Sequence, residues 1–245
     1  MATKMLQTLT WRDVEELNRE KTYCVFPISS LEQHGVHLPV GTDDFILEIA
    51  LESLKNAKIN KDLLIMPPLK YGKSIEHLNF AGTVTLKAET LIAIVKDIFE
   101  SMSYNGFKKF IIINSHGGNT LLLRSIAQDL CFMYDVKVYN IDLWSSNFFD
   151  EVDFIQAPLE SEVHGGEIET SLLMFKHPDI VKIGNCLEDE LKAVVNFNEN
   201  DFSWLSSDFS RYGIIGDARL SSKETGEKLV AYIAQKLTSL INKID

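Results

Sequence analysis

One short stretch of the sequence, Leu31 to Asp44, holds a high density of side chains that can bind a metal ion. It reads LEQHGVHLPVGTDD, and Glu32, His34, His37 and Asp43 fall within twelve positions directly after an apolar run. Imidazole and carboxylate groups are the ligands that zinc and similar divalent cations use in proteins. An ordinary connection between two elements has no packing reason for such a density, so we interpret this stretch as one half of a metal site.

The spacing inside this stretch indicates how two ions would share it. Residues two apart in extended backbone point to the same side, about 6.5–7 Å apart at Cα. Glu32 and His34 can therefore each hold one of two ions separated by about 3.5–4 Å. A carboxylate has two oxygens and can bridge a metal pair, which a histidine cannot. We predict Asp43 as the shared ligand and His37, beside a Leu-Pro pair, as a supporting residue.

Two later motifs add further candidates. NSHGGN, Asn114 to Asn119, follows the clearest strand pattern of the chain and places His116 where that strand would end. HGGEIET opens a helical pattern in which His164 and Glu167 are three apart and share one side of a turn. We predict His116 and Glu167 as ligands and His164 as a proton donor. Glu169 would point elsewhere and support a ligand.

Other motifs and isolated histidines favour simpler interpretations. A single histidine in a loop is more often a hydrogen-bonded structural residue than a ligand, so His77 is predicted to be structural and His177, before Pro178, to end a helix. The glycine pair of NSHGGN also fits a phosphate-binding turn. The chain, however, has neither a P-loop lysine nor a GxGxxG motif, and it has no GxSxG elbow. Nucleotide binding and a serine nucleophile are therefore disfavoured.

The elements that must position these side chains alternate between short β-rich runs and longer helical patterns, which indicates an α/β domain with a mostly parallel sheet. The motifs then fall at strand ends, where open α/β folds bind ligands. No low-complexity linker divides the chain, so we expect one domain over residues 1–245. The predicted strands are Tyr23 to Ile28, Leu63 to Met66, Lys108 to Ile113 and Val136 to Ile141. The predicted helices are Trp11 to Asn18, Phe45 to Lys55, Ala88 to Tyr104, Thr120 to Tyr134, the one opened by HGGEIET, and Ser221 to Leu240, with a turn over Tyr212 to Asp217.

Composition limits the classes of partner. The 24 Lys and Arg against 35 Asp and Glu give a net charge of −11, which repels a nucleic-acid backbone and an anionic membrane surface. The three cysteines, Cys24, Cys131 and Cys186, form no CxxC pair, which favours reduced structural thiols. The N-terminal segment lacks the apolar core of a signal peptide. We expect a cytoplasmic protein with a small-molecule substrate and no nucleic-acid or membrane partner.

The three motifs, with GKSIEHLNFAGT and GIIGDARLSSKETGEKL around them, resemble the creatininase family of metal-dependent amidohydrolases over nearly the whole chain. The resemblance implies a three-layer α/β/α sandwich with a mostly parallel central sheet. It also implies two divalent ions per subunit (zinc, manganese or iron) and a homohexamer. The four ligands that it assigns are those that spacing proposed: Glu32, His34, Asp43 and His116.

The chain departs from the namesake of that family at two places. The namesake has a glutamate ligand where this chain has Gly118, so the resemblance transfers the missing carboxylate to the later motif, here Glu167. The aromatic residues that enclose the creatinine ring are replaced by the LESE segment, residues 159–162, so creatinine is not the expected substrate.

We therefore expect a dinuclear metal-dependent hydrolase that cleaves a C–N bond of a small cyclic amide or formamide through a metal-activated water. His164 would protonate the leaving nitrogen and Glu167 would hold or receive the water proton. Ser74 and Gly117 are predicted to contact the substrate, although the Ser74 hydroxyl could equally bond its own loop. The substrate walls are expected from residues 144–162 and 196–212. The alternatives are hydrolytic opening of a cyclic sugar-derived ketone and a non-catalytic metal-binding protein with the same fold.

Overall fold

A computed structural model describes residues 2–145, 147–193 and 203–245. Parallel strands form a five-stranded sheet in the order β1-β3-β2-β4-β5. These strands are β1 (Thr3–Met5), β2 (Thr22–Ile28), β3 (Asp62–Ile65), β4 (Lys109–Asn114) and β5 (Lys137–Asp142). A second, antiparallel sheet pairs β6 (Lys192–Ala193) with β7 (Gly216–Asp217). The predicted mostly parallel sheet is confirmed.

The side chains of β2 alternate between two buried clusters, as strand geometry requires. Tyr23 and Val25 belong to one cluster, and Cys24, Phe26 and Ile28 to the other. All seven residues of β2 are buried. The sheet is therefore covered on both faces at its centre, which explains why this strand has a continuous apolar run rather than an alternating one.

Helices form the two outer layers. They are α1 (Trp11–Glu15), α2 (Thr42–Asn56), α3 (Ala88–Tyr104), α4 (Thr120–Tyr134), α5 (Glu167–Lys176), α6 (Ser206–Phe209) and α7 (Lys223–Lys243). The apolar stripes of α2, α5 and α7 pack on the Tyr23 and Val25 face, and those of α3 and α4 pack on the opposite face. This arrangement confirms the predicted α/β/α sandwich.

Several boundaries differ from the predictions. The short strand β1 was not predicted, and it lies at the sheet edge, where it pairs with β3 alone. The first helix ends at Glu15 rather than Asn18, although Thr10 caps its start by accepting a hydrogen bond from Asp13 N. The helix α2 begins at Thr42, three residues before the predicted Phe45, so Asp43 lies in its first turn.

The segment predicted as a turn, Tyr212 to Asp217, contains β7. Parts of the two predicted substrate walls, residues 146 and 196–202, lie outside the described residues. None of the helices in the described ranges is both long and apolar enough to cross a lipid bilayer.

Candidate metal centre

The register of the central sheet brings the first two motifs together. The strands β2 and β4 pair Ile28 with Asn114, the last residue of each strand. The segment after β2 contains Glu32 and His34. It lies beside the segment after β4, which contains His116. Carboxyl ends of neighbouring parallel strands are the usual ligand sites of open α/β sheets. The sheet itself therefore positions three of the predicted ligands.

A first group of ligand atoms surrounds Nδ1 of His116. This nitrogen is 3.2 Å from Glu32 Oε2 and 3.3 Å from Asp43 Oδ2. All three side chains are buried, and Asp43 Oδ2 has no hydrogen-bond partner among the described residues. A buried carboxylate oxygen without a donor is costly unless a cation or a proton meets it. A cation beside His116 would meet these oxygens, and Glu32 and Asp43 also form a group of close ligand atoms with His34.

A second group lies on the other side of Asp43. His34 Nε2 is 3.3 Å from Asp43 Oδ1 and 3.7 Å from Glu169 Oε1. Within the described part of the chain, this nitrogen also has no hydrogen-bond partner. One oxygen of Asp43 thus faces each group, so its carboxylate is placed to bridge two ions.

Backbone carbonyls fix the tautomers of both histidines. His116 Nε2 donates to the carbonyl oxygen of Lys73 at 3.0 Å, and His34 Nδ1 donates to that of Glu32 at 3.1 Å. A carbonyl only accepts, so the other nitrogen of each neutral ring offers its lone pair to the cluster. Metal-binding histidines are commonly oriented in this way. Both rings are therefore in the orientation and tautomer that metal binding requires.

The cluster attracts positive charge. Burial opposes the charge on His34, but the carboxylates of Glu169 and Asp43 outweigh it and raise the pKa of His34 well above its ordinary value. Burial also opposes the charge on His116, and Glu32 and Asp43 raise the pKa of that ring in the same way. The positive charge can be a proton on each imidazole or a metal ion that displaces those protons.

The two glutamates of the third motif do not lie where the sequence predicts them. The Glu167 carboxylate is buried outside the cluster and accepts hydrogen bonds from the backbone N–H of Gln156 at 2.9 Å and of Ala157 at 2.7 Å. Glu169 faces the cluster, and its Oε2 accepts from Gly165 N at 2.5 Å. The structure thus does not bring Glu167 to the other predicted ligands, and it brings Glu169 there instead.

The physical reason is the backbone between His164 and Glu167. The spacing of three predicts both residues on one helical turn, but α5 begins only at Glu167. Gly165 adopts a positive φ of 66°, a left-handed conformation that favours glycine. The three preceding residues therefore form a turn, and a separation of three no longer puts His164 and Glu167 on the same side.

His164 faces the cluster with its unprotonated nitrogen. Its Nε2 donates to the carbonyl oxygen of Gln33 at 2.5 Å, which leaves Nδ1 at 3.7 Å from Glu32 Oε1. Burial and the neighbouring charge of His34 lower the pKa of His164. A neutral ring in this orientation accepts a proton before it can donate one, so the predicted donor role needs an earlier proton transfer to Nδ1.

The two predicted substrate contacts differ in access. Ser74 is buried, and its hydroxyl donates to Ser30 Oγ at 2.9 Å, which in turn donates to Glu32 Oε2 at 2.6 Å. This chain of hydroxyls supports Glu32 and leaves Ser74 closed to a substrate. A side chain at Gly117 would meet nothing within 4 Å, so the backbone there faces open space.

His37 connects the opening motif to α5. Its Nε2 lies 2.8 Å from Thr170 Oγ1, and its ring packs under Gly35, where an added Cβ would lie 3.0 Å from His37 Nδ1. Burial is the main reason why the pKa of His37 falls to about 4. A buried, neutral ring in this place fits the predicted supporting role.

Sequence reasoning missed His77. The ring is buried, its Nε2 is 3.3 Å from Glu32 Oε1, and it stacks on His164 with ring centroids 4.0 Å apart. Burial, reinforced by the charge of His164, lowers the pKa of His77 to about 2. The contact depends on the order of strands, which was not predicted from the sequence: β3 lies beside β2, and Ile28 pairs with Leu69 just before the GKSIEH loop. That loop is the third segment, after those that follow β2 and β4, to leave the sheet at the same edge.

Position 118 has no room for a side chain. A Cβ on Gly118 would lie 2.6 Å from the carbonyl oxygen of Lys73 and would clash with Glu76 Oε1. The Glu76 carboxylate is paired with Lys73 Nζ at 3.3 Å and lies 3.8 Å from His116 Nε2. A carboxylate is therefore present beside Gly118, but on the side of His116 that faces away from the cluster.

Known proteins are similar to this chain over nearly its full length. The family model described as creatininase, creatinine amidohydrolase, matches residues 7–241. The creatinine amidohydrolase of Pseudomonas putida is 24% identical over 259 residues, which cover 96% of this chain and 95% of that protein. The mycofactocin precursor peptide peptidase of Mycolicibacterium smegmatis is 26% identical, over 84% of this chain and 78% of that protein. A crystal structure of a Bacteroides fragilis protein is 25% identical, covers 100% of this chain and 98% of its own, and gives a TM-score of 0.78.

Proposed function

The chain belongs to the creatininase family and is a metal-dependent hydrolase, and on that premise we propose that it cleaves a C–N bond in a small cyclic amide or formamide. In this proposal Glu32, Asp43 and His116 hold one divalent cation. His34, Asp43 and Glu169 hold the other. The observation that carries the proposal is the Asp43 carboxylate, whose two oxygens each lie 3.3 Å from a histidine nitrogen on opposite sides.

The donor atoms of the cluster suit zinc, manganese or iron, because imidazole nitrogens and carboxylate oxygens are combined. Solved creatininases of the same fold include a Zn-Zn type and a Mn form. When bound, two such cations lower the pKa of a water and polarise the carbonyl group that this water attacks.

In this proposal a residue of the chain itself transfers the protons of the reaction. His164 Nδ1 accepts a proton from the attacking water and passes it to the leaving nitrogen. The oxygen of the water joins the carbonyl carbon while the C–N bond breaks, so the products are a carboxylic acid and an amine. Glu169 takes the ligand place predicted for Glu167, and the open backbone at Gly117 is available to the substrate.

Some of the relatives support a small carbonyl substrate, whereas the mycofactocin relative of Mycolicibacterium smegmatis is named as a peptidase of a precursor peptide. Two Methanococcus maripaludis relatives, 31% and 34% identical over 41% and 43% of this chain, are deformylases of a formylamino-pyrimidine nucleotide. A 3-dehydro-scyllo-inosose hydrolase of Thermotoga maritima, 23% identical over 97% of this chain, favours opening of a cyclic sugar-derived ketone as the second candidate. In that reaction His164 would give its proton to carbon rather than nitrogen.

The segment at residues 159–162 disfavours creatinine. It carries no aromatic side chain, and the Glu162 carboxylate is turned inward, where it accepts hydrogen bonds from Ile168 N at 3.1 Å and Asp217 N at 3.2 Å. Nothing in this segment can therefore stack on a planar ring as the aromatic residues of the namesake would.

A homohexamer in the cytoplasm is proposed from the family resemblance. Four apolar side chains on the loops that carry or adjoin the cluster residues are exposed and are available to a second subunit. They are Val36, Val40, Ile75 and Leu78. Light scattering coupled to size-exclusion chromatography tests this part of the proposal, and a monomer at micromolar concentration would contradict it.

The test of the function is a substrate panel of formamides, lactams and cyclic ketones, assayed with metal-stripped and with zinc- or manganese-loaded protein. We expect turnover of at least one carbonyl class that depends on added metal and is lost in His164→Ala. Metal binding without turnover of any compound would favour the non-catalytic alternative. Turnover that persists after chelation would contradict a metal-dependent hydrolase.

A further inference from the structure

His77 lies within the cluster, and distance alone would allow it to be a metal ligand. Its Nε2, Glu32 Oε1 and His164 Nδ1 form a third group of close ligand atoms, all buried. Glu32 Oε1 has no hydrogen-bond partner among the described residues. Whether a third ion or a hydrogen bond fills this group depends on where the His77 ring carries its proton.

Gln33 settles the position of that proton. Its Nε2 lies 2.7 Å from His77 Nδ1 and donates to the carbonyl oxygen of Gly213 at 2.9 Å, while its Oε1 accepts from Gly35 N at 2.8 Å. Turning the amide over would break both backbone hydrogen bonds, so the NH2 group faces His77. An amide N–H only donates, so His77 Nδ1 must accept.

The position of Ser206 is compatible with the same tautomer. Its buried hydroxyl lies 2.9 Å from His77 Nδ1 and can donate to it. With Nδ1 engaged as an acceptor, the neutral ring carries its proton on Nε2. A protonated Nε2 has no lone pair for a metal, and it lies 3.3 Å from Glu32 Oε1, slightly farther than in an ordinary N–H···O hydrogen bond, so a small movement of either side chain would close the contact.

We propose that His77 is a positioning residue of the metal centre, which donates Nε2–H to Glu32 Oε1 and thereby leaves Oε2 as the metal-binding oxygen of Glu32. Gln33 and Ser206 hold the required tautomer, and the group formed by Glu32, His77 and His164 takes no ion. This inference rests on the proposed function, because it acts through Glu32 as a ligand.

The first test reads the tautomer directly. Zinc-loaded protein labelled with 15N in its histidine rings should show a His77 signal with Nε2 protonated and Nδ1 bare, assigned by its loss in His77→Gln. A proton on Nδ1, or a zinc-bound Nε2, would overturn the proposal. This measurement needs no substrate and no activity.

The second test compares two replacements. His77→Gln places an amide N–H near the position of Nε2, whereas His77→Asn is too short to reach Glu32. We expect His77→Asn to weaken the Glu32-dependent ion about 10–100-fold in a chelator competition, the usual cost of losing an outer-sphere partner. His77→Gln should restore most of that affinity. Wild-type affinity in both variants, or loss of one whole ion in both, would contradict a positioning role.

Two controls distinguish a wrong metal centre from a wrong role of His77. Glu32→Gln must itself lose an ion, and an unchanged metal content there would reject the metal centre rather than the role of His77. Ser206→Ala removes one of the two donors to Nδ1 and should keep the tautomer, with a loss of affinity smaller than that of His77→Asn. If His77→Asn does not fold, the tautomer measurement and Ser206→Ala still decide the question, because a His77 proton found on Nδ1 in either protein contradicts the proposal.

Discussion

The two sides of the metal cluster are built in different ways. On one side, Glu32, His34 and His116 follow the ends of two paired central strands, and backbone carbonyls nearby orient both rings. The sheet register places these side chains.

On the other side, His164 and Glu169 come from the turn before α5 and from its first residues. Their positions depend on the left-handed Gly165, on the bond from His164 to Gln33 and on the pairing of His164 with Ile215. Residues at strand ends are therefore fixed by topology, whereas residues on this turn are fixed by local backbone conformation. The strand-end side is the one that sequence spacing can predict.

The strongest test of this contrast makes the same substitution at Glu169 and at Glu167 and compares the two variants. Glu169→Gln should weaken the ion shared with His34 by more than about 100-fold, since removing a ligand costs more than removing an outer partner. Glu167→Gln, the matched control, should keep both ions and instead lose about 1–3 kcal/mol of stability, because the Glu167 carboxylate accepts hydrogen bonds from two backbone N–H groups, of which that of Ala157 is buried. Chelator competition and urea unfolding measure the two effects. Loss of an ion in Glu167→Gln alone would restore the original assignment.

The second test concerns the proton path on the same side of the cluster. His164→Ala should lower kcat by about 10²–10⁴-fold, the usual contribution of a general acid–base residue, with metal content retained. Single-turnover kinetics on the best substrate of the panel, with elemental analysis of the same sample, make the measurement. A variant with full activity would exclude His164 from proton transfer.

A third test uses position 118, on the strand-end side. Gly118→Glu restores the residue type of the namesake, but here the side chain would collide with the Lys73 carbonyl and the Glu76 carboxylate. We expect a loss of about 1–3 kcal/mol, typical of overpacking, and no gain in metal affinity. Gly117→Ala, which meets open space, is the control and should be close to neutral. Tighter metal binding by Gly118→Glu would contradict the assignment of Glu169.

A fourth test concerns Glu162, which links the segment before α5 to β7 by accepting a hydrogen bond from Asp217 N. Burial, opposed by backbone hydrogen bonds from Ile168 and Asp217, raises the pKa of Glu162 to about 7. The folded protein then binds more protons than the unfolded chain between the ordinary carboxyl pKa and about 7. The contribution of Glu162 to stability is therefore fully present at low pH and is lost as pH rises through that window, by about 1–3 kcal/mol.

Urea unfolding of wild type and Glu162→Gln from pH 4.5 to 8 isolates this contribution. As pH rises, the free energy of unfolding of wild type should fall relative to that of Glu162→Gln. A difference in unfolding free energy that is constant with pH would show that the Glu162 carboxyl does not titrate in this range.

Much of the fold was predictable from sequence because it depends on periodicity and strand order. The continuous apolar run of β2, followed by the acidic and histidine-rich stretch, indicates a buried parallel strand with its ligands at the carboxyl end. The edge strand β1 escaped prediction because three residues carry too little pattern to distinguish a strand from a loop.

The candidate site was predictable only in part. Spacing proposes Glu32, His34, Asp43 and His116, and the structure brings these four together. The choice between Glu167 and Glu169 depends on where α5 begins, and helix starts are poorly specified when glycines precede them. His77 could not be predicted as a site residue because its contact with Glu32 joins residues 45 positions apart. Only the position of β3 beside β2 brings the two side chains close.

The Asp43 carboxylate lies between both groups of ligand atoms, so its loss should affect both proposed ions. Elemental analysis of wild-type protein and of Asp43→Asn, each saturated with zinc and passed over a desalting column, tests it directly. We predict about two ions per chain for wild type and loss of tight binding at both places in Asp43→Asn, with the fold intact by circular dichroism. Retention of both ions in Asp43→Asn, or a single ion in wild type, would contradict the shared-ligand metal centre.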